Sequence, residues 1–376
     1  MLTKFSVEGF KCFEKKLVFN LEQACNYEFS TEAVRNGVAN KGIIYGFNGC
    51  GKSNLGLAIF DIVSHLTDNE SQQGLFSPYY LCLDSKTKVA HFEYQFLFRG
   101  TLVVYQYKKS NFRALTYESL SIDGREVLKY DFQTNEGFVT IAGAEDLNLS
   151  GTESTSRSGE KSNISRVKYV AGRLLPTHEK ENEIFHDFVH FVDTMLLFYS
   201  LDRNGYIGFK TGGDQIQTAI IRAGKVKEFE SFLQESNVNM RLVAKEIDGD
   251  PTLVVKYKNS EAPFYRVASR GTKSLALFFY WYIVMEQASF VFMDEFDAFY
   301  HFELAEHIVR VLKKLPNTQI ILTTHNTDLL SNDLLRPDCY FWMNEGCISP
   351  LCNLTEKELR KAHNLQKMFK AGAFHG

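Results

Sequence analysis

Residues 45–54 read YGFNGCGKSN, and this stretch constrains the fold more than any other part of the chain. Its G-x-x-x-x-G-K-S spacing, from Gly46 to Ser53, is that of a phosphate-binding P-loop. Glycines such as Gly51 let successive backbone N–H groups turn toward phosphate oxygens. Lys52 then supplies a positive charge for the β- and γ-phosphates, and Ser53 supplies a hydroxyl that suits an octahedral Mg²⁺.

The segments around the loop supply the strand and the helix that a P-loop needs. GIIY before the loop predicts a buried strand, and SNLGLAIFDIVSHL after it predicts a helix, whose N-terminus adds its positive end to the anion site. The loop alone does not say which NTPase this is. We predict that ATP and Mg²⁺ bind here, and that Asn48, Gly49 and Asn54 join the motif residues in the site.

The composition of the 376 residues favours a packed intracellular protein. Hydrophobic residues make up 44%, which is ample for the core of one large domain or two. A net charge of −3 argues against nucleic-acid binding through overall charge, and leaves a local basic patch open. The seven cysteines include no C-x-x-C pair, so we expect reduced thiols and a cytoplasmic location. No apolar run is long enough to predict a membrane span.

The hydrophobic pattern divides the chain into three parts. We predict that residues 1–176 form the N-terminal part of an ATPase head, with the P-loop, a lobe of antiparallel strands and a polar loop, LSGTESTSRSGEKSNIS. Residues 177–240, which include ENEIFHDFVHFVDTMLLFY, have a helical pattern and predict a helical insert. Residues 241–376 alternate helices with buried strands, which predicts a parallel sheet covered by helices.

Two of these later strands end in polar residues that suit nucleotide chemistry. SFVFMDE ends in Asp294 and Glu295, and QIILTTH ends in His325. A carboxylate at the carboxyl end of a buried strand facing the P-loop suits Mg²⁺, which assigns that role to Asp294. Glu295 can orient and deprotonate the attacking water, and His325 can contact the γ-phosphate and that water. Lys52, Glu295 and His325 are therefore the predicted catalytic residues.

A further motif, SRGTKSL, opens a predicted helix. Ser269 and Gly271 at a helix N-terminus suit an anion site, and they equally suit an ordinary helix cap. Because the P-loop already binds one γ-phosphate, a second anion site implies a second copy of the nucleotide. We therefore predict a head-to-tail homodimer, or a higher oligomer built from such dimers, in which each helix end contacts the partner's ATP.

The order of these motifs resembles the ABC-type ATPase head in its SMC/RecF/OLD-like variant. SRGTKSL, VEGFKCF near the start and FKAGAFHG at the end resemble AAA-type ATPases of bacterial antiphage loci, including RloA/AbiL-like proteins, the AriA ATPase of PARIS and the Septu ATPase. The resemblance implies an α/β P-loop NTPase of the ABC-ATPase head type, with a mixed core sheet, an antiparallel strand lobe and a helical insert. Arg270 replaces the usual first glycine of the signature, and Phe296 replaces the usual proline after the acidic pair.

The same resemblance implies a slow, regulatory ATPase that dimerises around ATP. It would control a separately encoded nuclease of the Toprim type and respond to a phage trigger protein. The alternative is a RecF- or SMC-like ATPase that binds DNA in repair or replication. A basic stripe would favour that alternative, and the candidate residues are Lys108, Lys109, Arg222, Lys225 and Lys227. Membrane transport is disfavoured because no span is predicted and the lobe is rich in strands.

Overall fold

In its described residues, the computed structural model of the chain contains two seven-stranded sheets, one three-stranded sheet and two two-stranded sheets. It describes residues 1–68, 76, 78–150, 154–155, 161–199, 206–208, 216–298, 302–344 and 346–374. Residues 151–153 and 156–160 of the predicted polar loop lie outside these ranges.

The strands and helices have the following bounds. The strands are β1 (Leu2–Glu8), β2 (Leu17–Asn20), β3 (Val34–Arg35), β4 (Val38–Ala39), β5 (Lys41–Gly46), β6 (Ala90–Phe98), β7 (Thr101–Asn111), β8 (Ala114–Ile122), β9 (Arg125–Asp131), β10 (Glu136–Val139), β11 (Ser154–Thr155), β12 (Lys161–Ser162), β13 (Leu196–Tyr199), β14 (Tyr206–Gly208), β15 (Arg241–Ile247), β16 (Asp250–Lys256), β17 (Glu261–Pro263), β18 (Phe290–Asp294), β19 (Gln319–Thr323), β20 (Tyr340–Asn344) and β21 (Cys347–Pro350). The helices are α1 (Lys52–Phe60), α2 (Val63–Leu66), α3 (Arg166–Ala171), α4 (Lys180–Asp193), α5 (Ile216–Arg222), α6 (Val226–Glu235), α7 (Phe264–Val267), α8 (Arg270–Met285), α9 (Phe302–Lys313) and α10 (Leu365–Lys370). Among the described residues, no helix combines the length and the apolar character needed to cross a membrane.

The core sheet has the strand order β14-β13-β18-β19-β5-β20-β21. Its five central strands are parallel, and the two edge strands run antiparallel to their neighbours. All residues of β5 and β19 are buried, as expected for parallel strands covered on both faces. The predicted parallel sheet is therefore confirmed. Because the central strands share one direction, the residues that follow β5, β18 and β19 meet at one edge of this sheet.

The second sheet is antiparallel and has the order β10-β9-β8-β7-β6-β1-β2. Along β6 every second residue is buried, which is the alternation that its sequence predicts for a strand with one covered face. The N-terminal strands β1 and β2 join this lobe in a single sheet. The fold is thus of the α/β class, with a mixed core sheet and an antiparallel lobe.

A buried polar cluster fixes the helix after the P-loop to the antiparallel sheet. Asp61, which directly follows α1, forms an ion pair with Lys109 of β7, at 2.8 Å between Oδ2 and Nζ, and both side chains are fully buried. The hydroxyls of Tyr80 and Tyr107 donate to the two carboxylate oxygens of Asp61 at 3.1 and 3.0 Å. These contacts hold the C-terminal end of α1 on the sheet, while the P-loop lies at its other end.

One of the five candidate residues of the basic stripe, Lys109, belongs to this buried cluster. Lys109 cannot be part of such a stripe, because its side chain lies on the covered face of β7 and is paired with Asp61. Two other members have carboxylate neighbours: Lys225 is 2.7 Å from Glu228, and Lys227 is 3.4 Å from Glu230. These pairs reduce the positive charge that the stripe could offer to a DNA backbone.

The helical interpretation of residues 177–240 also needs a correction. α4, α5 and α6 are helices as predicted, but the predicted first helix ends at Asp193, where the Thr194 hydroxyl donates to the carbonyl of His190 at 2.8 Å. The following LLFY forms β13, which pairs in parallel with β18 in the core sheet. A short apolar run fits a buried strand and a buried helix equally well by periodicity, so the sequence could not separate the two.

Candidate nucleotide-binding site

Either the available space or the backbone conformation favours glycine at Gly46, Gly49 and Gly51 of the P-loop. A Cβ on Gly46 would lie 2.5 Å from the carbonyl oxygen of Met343 in the neighbouring strand. Gly49 and Gly51 have φ angles of 78° and 106°, in the left-handed region that favours glycine. α1 begins directly after Gly51, at Lys52, so the N-terminus of a nine-residue helix points its free N–H groups into the loop. This local structure is that of an anion cradle.

Lys52 is buried, and its ammonium group lies inside the loop. Nζ donates to the carbonyl oxygens of Gly46 at 3.0 Å and of Phe47 at 3.2 Å. It also lies 3.1 Å from Nε2 of His325, two residues beyond the end of the neighbouring strand β19. The structure therefore brings the predicted P-loop lysine and the predicted histidine into direct contact.

The contact with Lys52 fixes the form of the His325 imidazole. An ammonium group can only donate, so Nε2 must accept and the ring proton must reside on Nδ1. Burial, followed by the charge of Lys52, lowers the pKa of His325 below its usual value and so favours the neutral ring. Nε2 also lies 3.9 Å from Oε1 of Glu295. His325 is thus placed between the P-loop lysine and the predicted general base.

Asp294 and Glu295 follow each other at the end of β18 and share one partner. The Thr323 hydroxyl donates to Oδ1 of Asp294 at 2.7 Å and accepts from the backbone N–H of Glu295 at 2.7 Å. Glu295 has a φ of 44°, a left-handed conformation that is uncommon for a residue with a side chain. Partial burial and the neighbouring charge of Asp294 raise the pKa of Glu295.

Hard oxygen donors are available for a magnesium ion at this edge of the sheet. The Ser53 side chain is exposed in the first turn of α1, and the Asp294 carboxylate lies at the end of β18. A hydroxyl and a carboxylate, with waters and phosphate oxygens, are the ligands that Mg²⁺ takes in nucleotide sites. Because the anion cradle and these two donors adjoin the same strand ends, the residues fit an ATP–Mg²⁺ complex, in which Ser53 and Asp294 would hold the metal.

A cavity of about 600 Å³ opens beside the P-loop and provides room for the part of a nucleotide beyond its phosphates. It is lined by residues of the loop after β1, of the P-loop and of β21: Cys12, Phe13, Phe47, Asn48, Gly49 and Cys347. The Asn54 side chain donates to Sγ of Cys12 at 3.1 Å and so ties α1 to the loop after β1. Asn48 and Gly49 therefore line the predicted site, whereas Asn54 supports one wall of it.

Ser269 and Gly271 do not line this cavity. They lie at the N-terminus of α8 and line another cavity, of about 480 Å³, whose other walls come from α6, α8 and α9. The Ser269 hydroxyl accepts from the backbone N–H of Thr272 at 3.1 Å, which is an ordinary N-cap contact. Both residues are exposed, so this helix end is accessible from outside the chain.

Sequence reasoning gave no role to several polar residues that the structure places at the site. Thr323 bridges the acidic pair, and the Thr324 hydroxyl donates to Oδ2 of Asp297 at 2.8 Å. Both threonines are present in the motif QIILTTH. Their hydrogen-bond partners, however, can be predicted only once β18 and β19 are known to be adjacent. The pairing of Met293 with Leu322 establishes that adjacency.

Comparison with protein families identifies one match. Residues 43–331 match the model of a family described as "AAA domain, putative AbiEii toxin, Type IV TA system". This range covers well over half of the chain and runs from the strand before the P-loop to beyond His325. A search among curated proteins found no match.

Solved structures with a similar course of the chain include SMC head domains. One is the SMC head domain from Thermotoga maritima, with 16% identity over 93% of this chain and 98% of that one, and a TM-score of 0.46. Another is the Smc head domain from Pyrococcus furiosus with an extended coiled coil, bound to the C-terminal domain of ScpA. It has 12% identity over 93% of this chain and 95% of that one, with a TM-score of 0.46.

Proposed function

Because the chain belongs to this family of AAA domains, we propose that it is an ATP-binding and ATP-hydrolysing regulatory ATPase of an antiphage defence system. In this proposal two copies dimerise around ATP and control a separately encoded nuclease. The antiphage role is supported by the resemblance of SRGTKSL and of both terminal motifs to ATPases of such systems. The ATPase activity is supported by the site itself.

The observation that carries the proposal is the convergence of four predicted residues from three separate motifs. Lys52 contacts His325, His325 lies within 4 Å of Glu295, and Asp294 and Glu295 share Thr323 as a partner. Loops that carry such groups at the carboxyl ends of adjacent parallel strands form the usual ligand site of an α/β sheet. A structural role alone does not require a buried lysine, a neutral histidine and two carboxylates at one strand edge.

The residues suggest how hydrolysis proceeds. When bound, Mg²⁺ neutralises charge on the β- and γ-phosphates. Lys52 is positioned to exchange its loop carbonyl partners for phosphate oxygens, which bind an ammonium more strongly because they are charged. Glu295 takes a proton from the attacking water, and its raised pKa improves its match to that task. Neutral His325 orients this water or the γ-phosphate through a hydrogen bond.

We further propose that the exposed end of α8 completes the site of a second copy. Ser269 and Gly271 would contact the γ-phosphate held by the partner's P-loop, with the positive end of a 16-residue helix behind them. ATP would then favour the dimer, and hydrolysis would release it, because the ligand binds the closed pair better than the open one. A nuclease bound to the pair would sense this change, with a phage protein as the trigger.

Binding to DNA is the alternative function, and the charge distribution does not favour it. Of the five basic residues predicted as a stripe, one is fully buried and two have carboxylate partners within 3.4 Å. A DNA-binding face needs several unpaired Lys or Arg side chains to displace counterions from phosphates.

The proposal is tested in two steps, with Lys52→Ala as the matched inactive variant. First, the purified wild-type protein should release phosphate from ATP, and Lys52→Ala should not. Second, bacteria that express the chain with its neighbouring genes should give fewer phage plaques than bacteria that express Lys52→Ala with the same genes. Hydrolysis that double-stranded DNA stimulates, without any difference in plaque number, would support the DNA-binding alternative instead.

A further inference from the structure

We propose that Thr323 is a positioning residue for hydrolysis, which holds the Asp294 and Glu295 carboxylates in their working orientation. The proposal rests on the proposed ATPase function and adds a residue to its site. Thr323 is the last residue of β19, and its side chain is fully buried.

Thr323 contacts three consecutive residues of the neighbouring turn. Its hydroxyl bonds to the Asp294 carboxylate and to the Glu295 N–H, each at 2.7 Å, and its carbonyl oxygen accepts from the N–H of Phe296 at 3.2 Å. The regular pairing of β18 with β19 ends one residue earlier, at Met293 and Leu322. Thr323 therefore continues the connection between the two strands where the backbone ladder stops.

The hydroxyl acts as a donor and an acceptor at the same time. It donates a hydrogen bond to Asp294 and accepts one from the Glu295 N–H, which requires a side-chain hydroxyl at this position. Valine has the same shape and can do neither, whereas serine can do both. Because the side chain has no exposed surface, a water molecule cannot replace the missing group without local rearrangement.

The conformation of Glu295 explains why this support matters. Its φ of 44° is a strained state that persists only where surrounding contacts hold it. The Glu295 N–H bond to Thr323 is one such contact, and the Glu295 carbonyl oxygen accepts from the N–H of Ala298 at 3.1 Å. Without the hydroxyl, the turn can relax toward an ordinary backbone conformation, which moves the carboxylate away from His325.

The experiment compares Thr323→Val and Thr323→Ser with Thr318→Val. Thr318 is a matched control, because its buried hydroxyl also donates one hydrogen bond, to the carbonyl of Met285 at 2.8 Å, just before the start of the same strand. We expect Thr323→Val to lower kcat by roughly 10- to 100-fold, as for other residues that orient metal ligands. Thr323→Ser and Thr318→Val should retain kcat close to that of the wild type.

A binding measurement checks the role independently of turnover. The affinity of each variant for a fluorescent ATP analogue is measured in excess EDTA and in excess Mg²⁺. Thr323→Val should bind the analogue normally in EDTA and lose most of the tightening that Mg²⁺ gives the wild type, because Asp294 is no longer oriented. Thermal unfolding of all variants shows whether they are folded at the assay temperature.

Two results would overturn the proposal. One is a Thr323→Val variant with the kcat and Mg²⁺-dependent tightening of Thr318→Val; the other is a Thr323→Ser variant as impaired as Thr323→Val. Failure of the ATPase function is distinct, because wild-type protein and Lys52→Ala would then share the same background hydrolysis. In that case only the binding measurement, the Mg²⁺-dependent gain in affinity for the ATP analogue, decides whether Thr323 orients the carboxylates.

Discussion

The buried ion pair between Asp61 and Lys109 should dominate the stability of the junction between α1 and the antiparallel sheet. Both side chains have no exposed surface, and Nζ and Oδ2 are 2.8 Å apart. Removal of one partner from such a pair leaves an unpaired buried charge and costs about 3–5 kcal/mol. In Lys109→Met, Asp61 keeps the hydroxyls of Tyr80 and Tyr107 as donors. We therefore expect a loss near the lower end, about 3 kcal/mol.

A second substitution tests whether the cost comes from the unpaired charge. In the double variant Asp61→Asn, Lys109→Met this cluster holds no buried charge, and one tyrosine hydroxyl can donate to the amide oxygen while the other accepts from the amide nitrogen. The double variant should therefore be more stable than Lys109→Met alone. Lys225→Met is the control, because its pair with Glu228 is exposed on both sides and should contribute nothing measurable.

The assay is equilibrium unfolding in urea, followed by tryptophan fluorescence, for the wild type and the three variants. The reasoning would be refuted if Lys109→Met unfolded at the same urea concentration as Lys225→Met. It would also be refuted if the double variant were less stable than Lys109→Met, since the loss would then not come from an uncompensated charge.

Three further predictions follow from single residues. Gly46→Ala should lower the midpoint of thermal unfolding and abolish binding of a fluorescent ATP analogue, because the added Cβ would lie 2.5 Å from the Met343 carbonyl oxygen. Unchanged binding of the analogue would contradict this prediction. Lys52→Ala should weaken binding of the same analogue roughly 10- to 100-fold, the loss expected for one charge-assisted hydrogen bond, and a smaller loss would place Lys52 outside the site. Burial lowers the pKa of Lys41 to about 7, so the unfolded state holds more protons between about pH 7 and pH 10. The free energy of unfolding should therefore rise with pH across this range, and Lys41→Met should flatten that rise in urea titrations at successive pH values.

The sequence predicted those parts of the site whose chemistry depends on local spacing. Each of these groups follows a short apolar run that forms a strand: the P-loop residues, the acidic pair and His325. In a parallel sheet the carboxyl ends of the strands lie at one edge, so polar residues that follow them come together there. The structure adds what depends on neighbours distant in sequence. Thr323 has a role only because β18 lies beside β19, and LLFY became β13 only because the edge of the core sheet accepts another strand.

Charge was the property that the sequence predicted least well. Lys108 and Lys109 are adjacent in the sequence, but alternation along β7 exposes the first and buries the second. The partner of Lys109, Asp61, is 48 residues away, so the sequence gave no sign that this lysine is paired. A basic stripe assembled from sequence positions alone therefore overstated the positive surface of the chain.

The mass of the protein in solution, with and without ATP, tests the proposed dimer most directly. Glu295→Gln keeps the shape of the predicted base and removes its carboxylate, so bound ATP should persist. We predict that this variant forms a dimer, or a multiple of one, when ATP and Mg²⁺ are added, and that Gly271→Glu in the same background prevents it by repelling the partner's γ-phosphate. A protein that remains monomeric at saturating ATP would contradict the account and leave Ser269 and Gly271 as an ordinary helix cap.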